Sequence, residues 1–442
     1  MIMPSEFDQG LLAPVWAGSL AEARTGDAAL VRALLDAEVA LATALVTAGL
    51  APARSADVIT RVAAELRPDP RELALAARAG GNPVIPLVRE LRAAVSSADE
   101  DAAVWVHRGA TSQDILDTAL VTVSARVLDD ALLPALATAA DAAAAQAAAH
   151  RTTAIAGRTL TQHAVPTTFG AKAAGWLSGL LDAEQRCREV RARLPAQFGG
   201  AAGTLAALGE PTGGLAVGEA FAAACGLAYR ETPWHTVRTP VAELAAALAL
   251  AAGACGKPAL DVTVLAQSEL GEVAGDPGGE SSAMPQKRNP VTAVLVVAAA
   301  REAPSALAAV HLGLLAENER PAGAWHAEWQ PWRSLLRLAG GAAEATARLL
   351  TELRPDPAAM TETIRRAEGS LLAERLAGAL RPTLGTGAAA AVREAALAGR
   401  LPELLAEHGV DDPAGYLGAA PKFVDRALAR YARQTGREPH GA

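Results

Sequence analysis

Residues 240–271, PVAELAAALALAAGACGKPALDVTVLAQSELG, decide the fold class. Val241, Leu244, Leu248 and Ala251 recur at intervals of three and four, which draws one apolar stripe along a helix and offers it to a neighbouring helix. Pro258 interrupts the run. An interior proline loses a backbone donor and crowds the preceding turn, at about 3 kcal/mol, so a kink or break is expected there. Four more long helical runs surround this one: Asp114 to His150, Pro166 to Leu194, Asn289 to Glu319 and Ala324 to Leu353. Runs beyond about 25 residues predict a bundle rather than a compact globule. Composition agrees, because a 51% hydrophobic chain with only 3% aromatics draws its apolar content from Ala, Leu and Val. Ala and Leu are the strongest apolar helix formers, and the expected class is all-α.

Outside these runs the punctuation thickens. Near the start, Ala29, Leu30, Ala33, Leu34, Ala37 and Leu41 keep helical spacing between turns at Pro52, Pro68, Pro70 and Gly80-Gly81-Asn82-Pro83. After Pro355 and Pro357 the segments shorten again, with turns near Pro382, Gly385 and Pro413. The expected organisation is a helical domain over 1–112, a long central bundle over 113–353 and a small helical domain over 354–442. At 442 residues the chain is long enough for a sizeable core.

Forty Lys and Arg against 48 Asp and Glu give a net charge of −8, with no basic stripe for a nucleic-acid backbone. Cys187, Cys225 and Cys255 are too few and too scattered for a disulfide framework or a zinc cluster, as suits a reducing cytosol. The first residues lack the basic and apolar regions of a signal peptide, and no run of 18 bulky apolar residues stands out. A cytoplasmic protein without nucleic-acid or membrane partners is expected. No HExxH, CxxC or phosphate loop occurs, so neither metal nor cofactor is expected.

Function is expected in four loops, 106–117, 157–166, 275–290 and 317–332, because the helices read as packing surface. The third, GDPGGESSAMPQKRNP, combines glycines, prolines, two serines and a Lys-Arg pair just before a helix, whose free backbone N–H groups favour an anion. From the residues alone it is either a carboxylate-recognising loop with a proton-transferring serine or a solvated surface loop.

ESSAMPQKRNP (280–290) resembles the signature loop of the aspartase/fumarase superfamily, Gly-Ser-Ser-x-Met-Pro-x-Lys-x-Asn-Pro, with Glu280 in place of the leading glycine. VHRGATSQDILDTA (106–119) resembles that superfamily's Thr-Ser-x-Asp loop, and GRTLTQHAVPTTFGAK (157–172) its second signature segment. GNPVIPLV (81–88) and ENERPAGAWHAEW (317–329) are similar to one branch, the bacterial 3-carboxy-cis,cis-muconate cycloisomerases. The resemblance implies Ser281 as the catalytic serine, with Lys287 beside it, and Thr111, Ser112 and Asn289 as carboxylate binders. It also implies a homotetramer with shared active sites, a small polycarboxylate substrate and no cofactor. His163 is either the available imidazole or a structural histidine; Gln162 lies beside it. His107 precedes the Thr-Ser loop and is either a substrate contact or a structural histidine. Arg320 reads as branch-specific, as do His326 and Trp329, or else these form a buried cluster. Relatives carry Asp-Arg after the position of Arg238, whereas here Thr239-Pro240 follow, which puts a role for Arg238 in doubt. His150, His311, His408 and His440 read as surface residues.

Two departures carry the functional argument. Superfamily lyases place a histidine in the second segment and a glutamate seven residues after the loop lysine, a pair implicated in protonating the leaving group; Leu160 and Val294 stand there instead. Amine and hydroxide need that proton, whereas a carboxylate, with a conjugate acid near pKa 4, leaves as it is. The expected reaction is the interconversion of 3-carboxy-cis,cis-muconate and 4-carboxymuconolactone, in aromatic degradation. The alternative is a lyase expelling another low-pKa group, such as nitrite from a succinate-type substrate. An adenylosuccinate-type lyase and a noncatalytic homologue fit less well, the former for want of the acid and the latter because Ser281, Lys287 and Asn289 are all retained.

Overall fold

A computed structural model describes residues 10–209, 211–276, 284 and 287–438. Ser281, Glu280 and Gln286 lie outside the described residues, as does His440. The chain is all-α in class, with a few short strands. It divides into two compact units, Met1–Pro134 with Gln185–Ala252 and Ala299–Ala342, and Ala135–Glu184 with Gly253–Ala298 and Ala343–Ala442.

The predicted long helices form, with corrected ends. The Asp114 to His150 run is Ser112–Val127, a π-helical segment Leu128–Leu132, and Leu133–Ala149. The others are Phe169–Arg191, Thr239–Leu265, Val291–His311 and Ala324–Glu352. Pro258 does not break its helix, nor do Pro304 and Pro331 theirs. Leu244, Leu248 and Ala251 before Pro258, and Ala259, Val262 and Leu265 after it, are all buried. Burying each large apolar side chain is worth about 1.5–3 kcal/mol, which outweighs one proline's penalty.

In the first unit, helices Asp27–Thr47, Ala53–Glu65, Pro70–Gly80 and Val84–Ala98 gather around Leu34, Leu41, Leu45, Ile59, Leu87 and Leu91. The predicted turn at 80–83 is built from Gly81 at φ +76° and Asn82, whose side chain accepts from the Val84 N–H at 3.1 Å.

The second unit holds a feature that the helical reading did not predict. Ala154–Thr159 and Gln162–Thr168 form an antiparallel hairpin in which Thr159 pairs with Gln162 and Arg158 with His163. Its two tip residues, Leu160 and Thr161, have φ of +49° and +67°. A two-residue turn with both φ positive follows the right-handed twist of the strands, though Asn-Gly is its usual occupant. At the C-terminal end, Leu372, Leu376, Leu380, Val392, Leu401 and Leu405 form a separate small core. His150, expected on the surface, is half-buried with its ring edge-on to Phe169, and burial lowers its pKa; His311 and His408 are exposed.

Candidate active site

The Thr-Ser loop of the first unit is organised by its aspartates. Thr111 caps helix Ser112–Val127 in a reciprocal capping box, its N–H donating to Asp114 at 2.9 Å. Asp114 is fully buried and also accepts from the Gly199 and Gly200 N–H groups, each at 2.9 Å, and lies 2.7 Å from His235 Nε2. The buried His235 therefore anchors the loop. One turn on, Asp117 accepts from the Trp325 indole at 2.9 Å and from Arg238. Arg238, doubtful from sequence, is buried between Asp117 and Glu328 and stacks over Trp234 at 4.9 Å. Burial opposes its charge, but the two carboxylates outweigh this and raise its pKa. One cation serves two acids, and Glu328 is the one that burial, reinforced by Asp117, pushes up to about 7 against the pull of Arg238.

Arg320 meets this loop directly: Nη2 donates to Thr111 Oγ1 at 2.9 Å and Nε to Gln113 Oε1 at 3.3 Å. His326 and Trp329 belong to an aromatic stack with Trp325, with ring centroids 4.7–5.1 Å apart. His107 and Ser112 line a groove of about 580 Å³ together with Arg89 and Arg92. The His107 Nδ1 lies 2.6 Å from Glu38 Oε1. The structure thus joins Thr111 to Arg320, and His107 to Ser112 across one groove.

In the second unit, Gln162 and His163 are exposed at the hairpin end, beside Leu160, which is 96% exposed. Behind them Arg158 donates to the buried Glu272 at 2.8 Å, and burial lowers the pKa of Lys172 in spite of Asp261. Lys287 and Asn289 lie just before helix Val291–His311, whose Ala293 N–H donates to Asp276 at 3.1 Å. Gly275, at φ +100°, packs so tightly on the Glu352 carbonyl that no Cβ could fit, which sets where this loop begins. Val294, on the first turn of that helix, is 52% exposed. Sequence reasoning missed Glu38, Arg89, Arg92 and Glu328. The one available signal was Glu38, a lone acid amid Leu34, Ala37, Leu41 and Leu45 on an apolar helix face.

This chain belongs to the aspartase/fumarase superfamily: residues 17–304 match the family model described as Lyase. It is accordingly an enzyme of the lyase class. Among curated proteins it is 46% identical to a nitrosuccinate lyase of Streptomyces davaonensis, over 95% of this chain and 94% of that one. It is 42% identical to a 3-carboxy-cis,cis-muconate cycloisomerase of Pseudomonas aeruginosa, over 94% and 95%. Among solved structures, the 3-carboxy-cis,cis-muconate lactonizing enzyme of Pseudomonas putida matches with a TM-score of 0.87 and 36% identity, covering 96% of this chain and all of that one.

Proposed function

We propose that the enzyme interconverts 3-carboxy-cis,cis-muconate and 4-carboxymuconolactone. The observation that carries this reading is the apolar, exposed character of Leu160 and Val294, the two positions where relatives with poor leaving groups hold an acid pair. A carboxylate needs no proton to leave. In the lactone-forming direction, one carboxylate oxygen of the substrate bonds to an alkene carbon and a proton is delivered to the adjacent carbon; the reverse breaks that C–O bond after removing the proton. The nucleophile is intramolecular, so the protein's task is to fix a reactive conformer and manage one proton. Ser281 exchanges that proton in this reading. Lys287, Asn289, Thr111 and Ser112 stabilise charge building on a second carboxylate. Arg89 and Arg92 beside His107 supply cationic surface for a third carboxylate, and Gln162, His163 and Arg320 complete the contacts.

A second reading, elimination of nitrite from nitrosuccinate, is supported by the 46% identity to the Streptomyces enzyme. The same absence of an acid suits it, but it has one carboxylate fewer to be recognised. Ultraviolet assays of purified enzyme with 3-carboxymuconate and, separately, with nitrosuccinate test both. Turnover of the dienoate at a kcat/KM at least tenfold higher supports the first; the opposite ratio replaces it with the second.

We further propose a homotetramer whose sites draw on several subunits. Leu160 at an exposed hairpin tip supports it, as does helix Val291–Leu314, long and apolar enough to cross a membrane by composition yet with only 28% of its most apolar window buried. Neighbouring subunits would cover such surfaces. Helix Thr239–Leu265 is also long and apolar, and 56% of its most apolar stretch is buried.

A further inference from the structure

Glu38 is a charged group in an unfavourable place. It sits within helix Asp27–Thr47, 1% exposed, and among the described residues its Oε2 is buried with no hydrogen-bond partner. A buried carboxylate is costly unless paired. Its Oε1 lies 2.6 Å from Nδ1 of His107, so among the described residues His107 carries the compensation. The other end of this contact is strained as well. His107 has φ +60°, in the left-handed region that disfavours a residue with a side chain. Two unfavourable features, a half-satisfied buried acid and a left-handed backbone, meet at one 2.6 Å contact, and that contact fixes the ring at the wall of the groove lined by Arg89, Arg92 and Ser112.

Resting on the polycarboxylate reading above, we propose that Glu38 is a positioning residue that keeps His107 an imidazolium and presents its Nε2–H to a carboxylate of the bound substrate. With Nδ1–H donated to Glu38, Nε2 is the nitrogen left for the groove. In the deprotonated ring only one nitrogen carries a proton, and Glu38 claims it. The donor toward substrate therefore exists only in the charged form. The charged groups around the ring are Glu38, Asp114 on helix Ser112–Val127, and Arg89 and Arg92 on helix Val84–Ala98. Burial pushes the His107 pKa down and Arg92 adds to this, but Glu38, through charge and hydrogen bond, and Asp114 reverse the sign and leave it raised. Removing the charge of Glu38 leaves burial and Arg92 opposed by Asp114 alone.

The test is the affinity of the full-length enzyme for tricarballylate, an unreactive tricarboxylate, measured calorimetrically from pH 5.5 to 8.5 in wild type and Glu38→Gln. Titration of ¹³Cε1-labelled histidine, with His107→Asn for assignment, accompanies it. In wild type, affinity falls about tenfold as pH rises through the His107 pKa. In Glu38→Gln that fall and the pKa both move down by at least one unit, with the helical circular dichroism unchanged. A fall that stays in place in a folded Glu38→Gln overturns the role of Glu38. Absence of tricarballylate binding in wild type at every pH overturns the polycarboxylate reading, and the role of His107 with it. If Glu38→Gln does not fold, the wild-type titration decides: a His107 pKa at or below the ordinary value of about 6.5 overturns the proposal, and a higher one that rises further with tricarballylate supports it.

Discussion

Arg238 grips Asp117 with both terminal nitrogens, Nη1 to Oδ2 at 2.7 Å and Nη2 to Oδ1 at 3.2 Å, although 121 residues separate the two in sequence. Glu328 bonds the same guanidinium. The triad lies beneath the Thr111 loop and ties three segments of the first unit together. Arg238→Met leaves two buried carboxylates without their cation, a loss of about 3–5 kcal/mol. A fall of several degrees in the melting midpoint is expected. A midpoint unchanged within a degree would show that the triad carries no stability.

The long helices were legible because Ala and Leu at three- and four-residue spacing leave few alternatives to a bundle. The hairpin was not: its tip is Leu160-Thr161 rather than a turn dipeptide such as Asn-Gly, and its strands are short and half polar. The Thr111 loop was legible as a motif. Its support by His235 and Arg238 was not, since each lies 121 residues from the aspartate it bonds and spacing along the chain is silent about such pairs. The contact between Glu38 and His107 spans 69 residues and was hidden for the same reason.

Ser281→Ala should nearly abolish turnover while leaving circular dichroism and melting temperature almost unchanged. A single hydroxyl in a loop contributes little stability. Retention of more than about a tenth of the activity, a barrier change below about 1.4 kcal/mol, removes Ser281 from the proton-transfer role. Lys287→Met is expected to weaken binding as well as turnover.

Leaving-group chemistry gives a second activity prediction. With Leu160 and Val294 where an acid pair would stand, the enzyme should release neither ammonia from aspartate nor AMP from adenylosuccinate. Efficient turnover of either nitrogen compound refutes the argument from the missing acids.

Folding stability should carry the signature of His107. Its pKa is raised in the folded chain, so the stabilisation is fully present below the unfolded value of about 6.5 and is lost as pH rises through the folded value. Thermal midpoints of wild type are therefore expected to decline as pH rises above about 6.5 more steeply than those of Glu38→Gln. Parallel curves would mean that the contact with Glu38 does not hold a proton on the ring.

The last prediction concerns assembly. Gln162 and His163 stand exposed at the end of a hairpin whose tip is an exposed leucine, which leaves them without an enclosed site among the described residues of their own unit. A helix of about 30 residues spans some 45 Å, so motif loops at opposite ends of such helices converge most simply when other subunits bring them together. In a closed tetramer of dihedral symmetry, His163 of one chain then meets Ser281 of another. His163→Ala and Ser281→Ala, if each is inactive alone, can be mixed in equal amounts, partly denatured and reassociated. Random assortment leaves roughly a quarter of sites with neither lesion, and activity should return toward that fraction of wild type. If verified hybrid tetramers of two inactive parents remain inactive, the two residues act within one chain, and the shared-site arrangement is wrong.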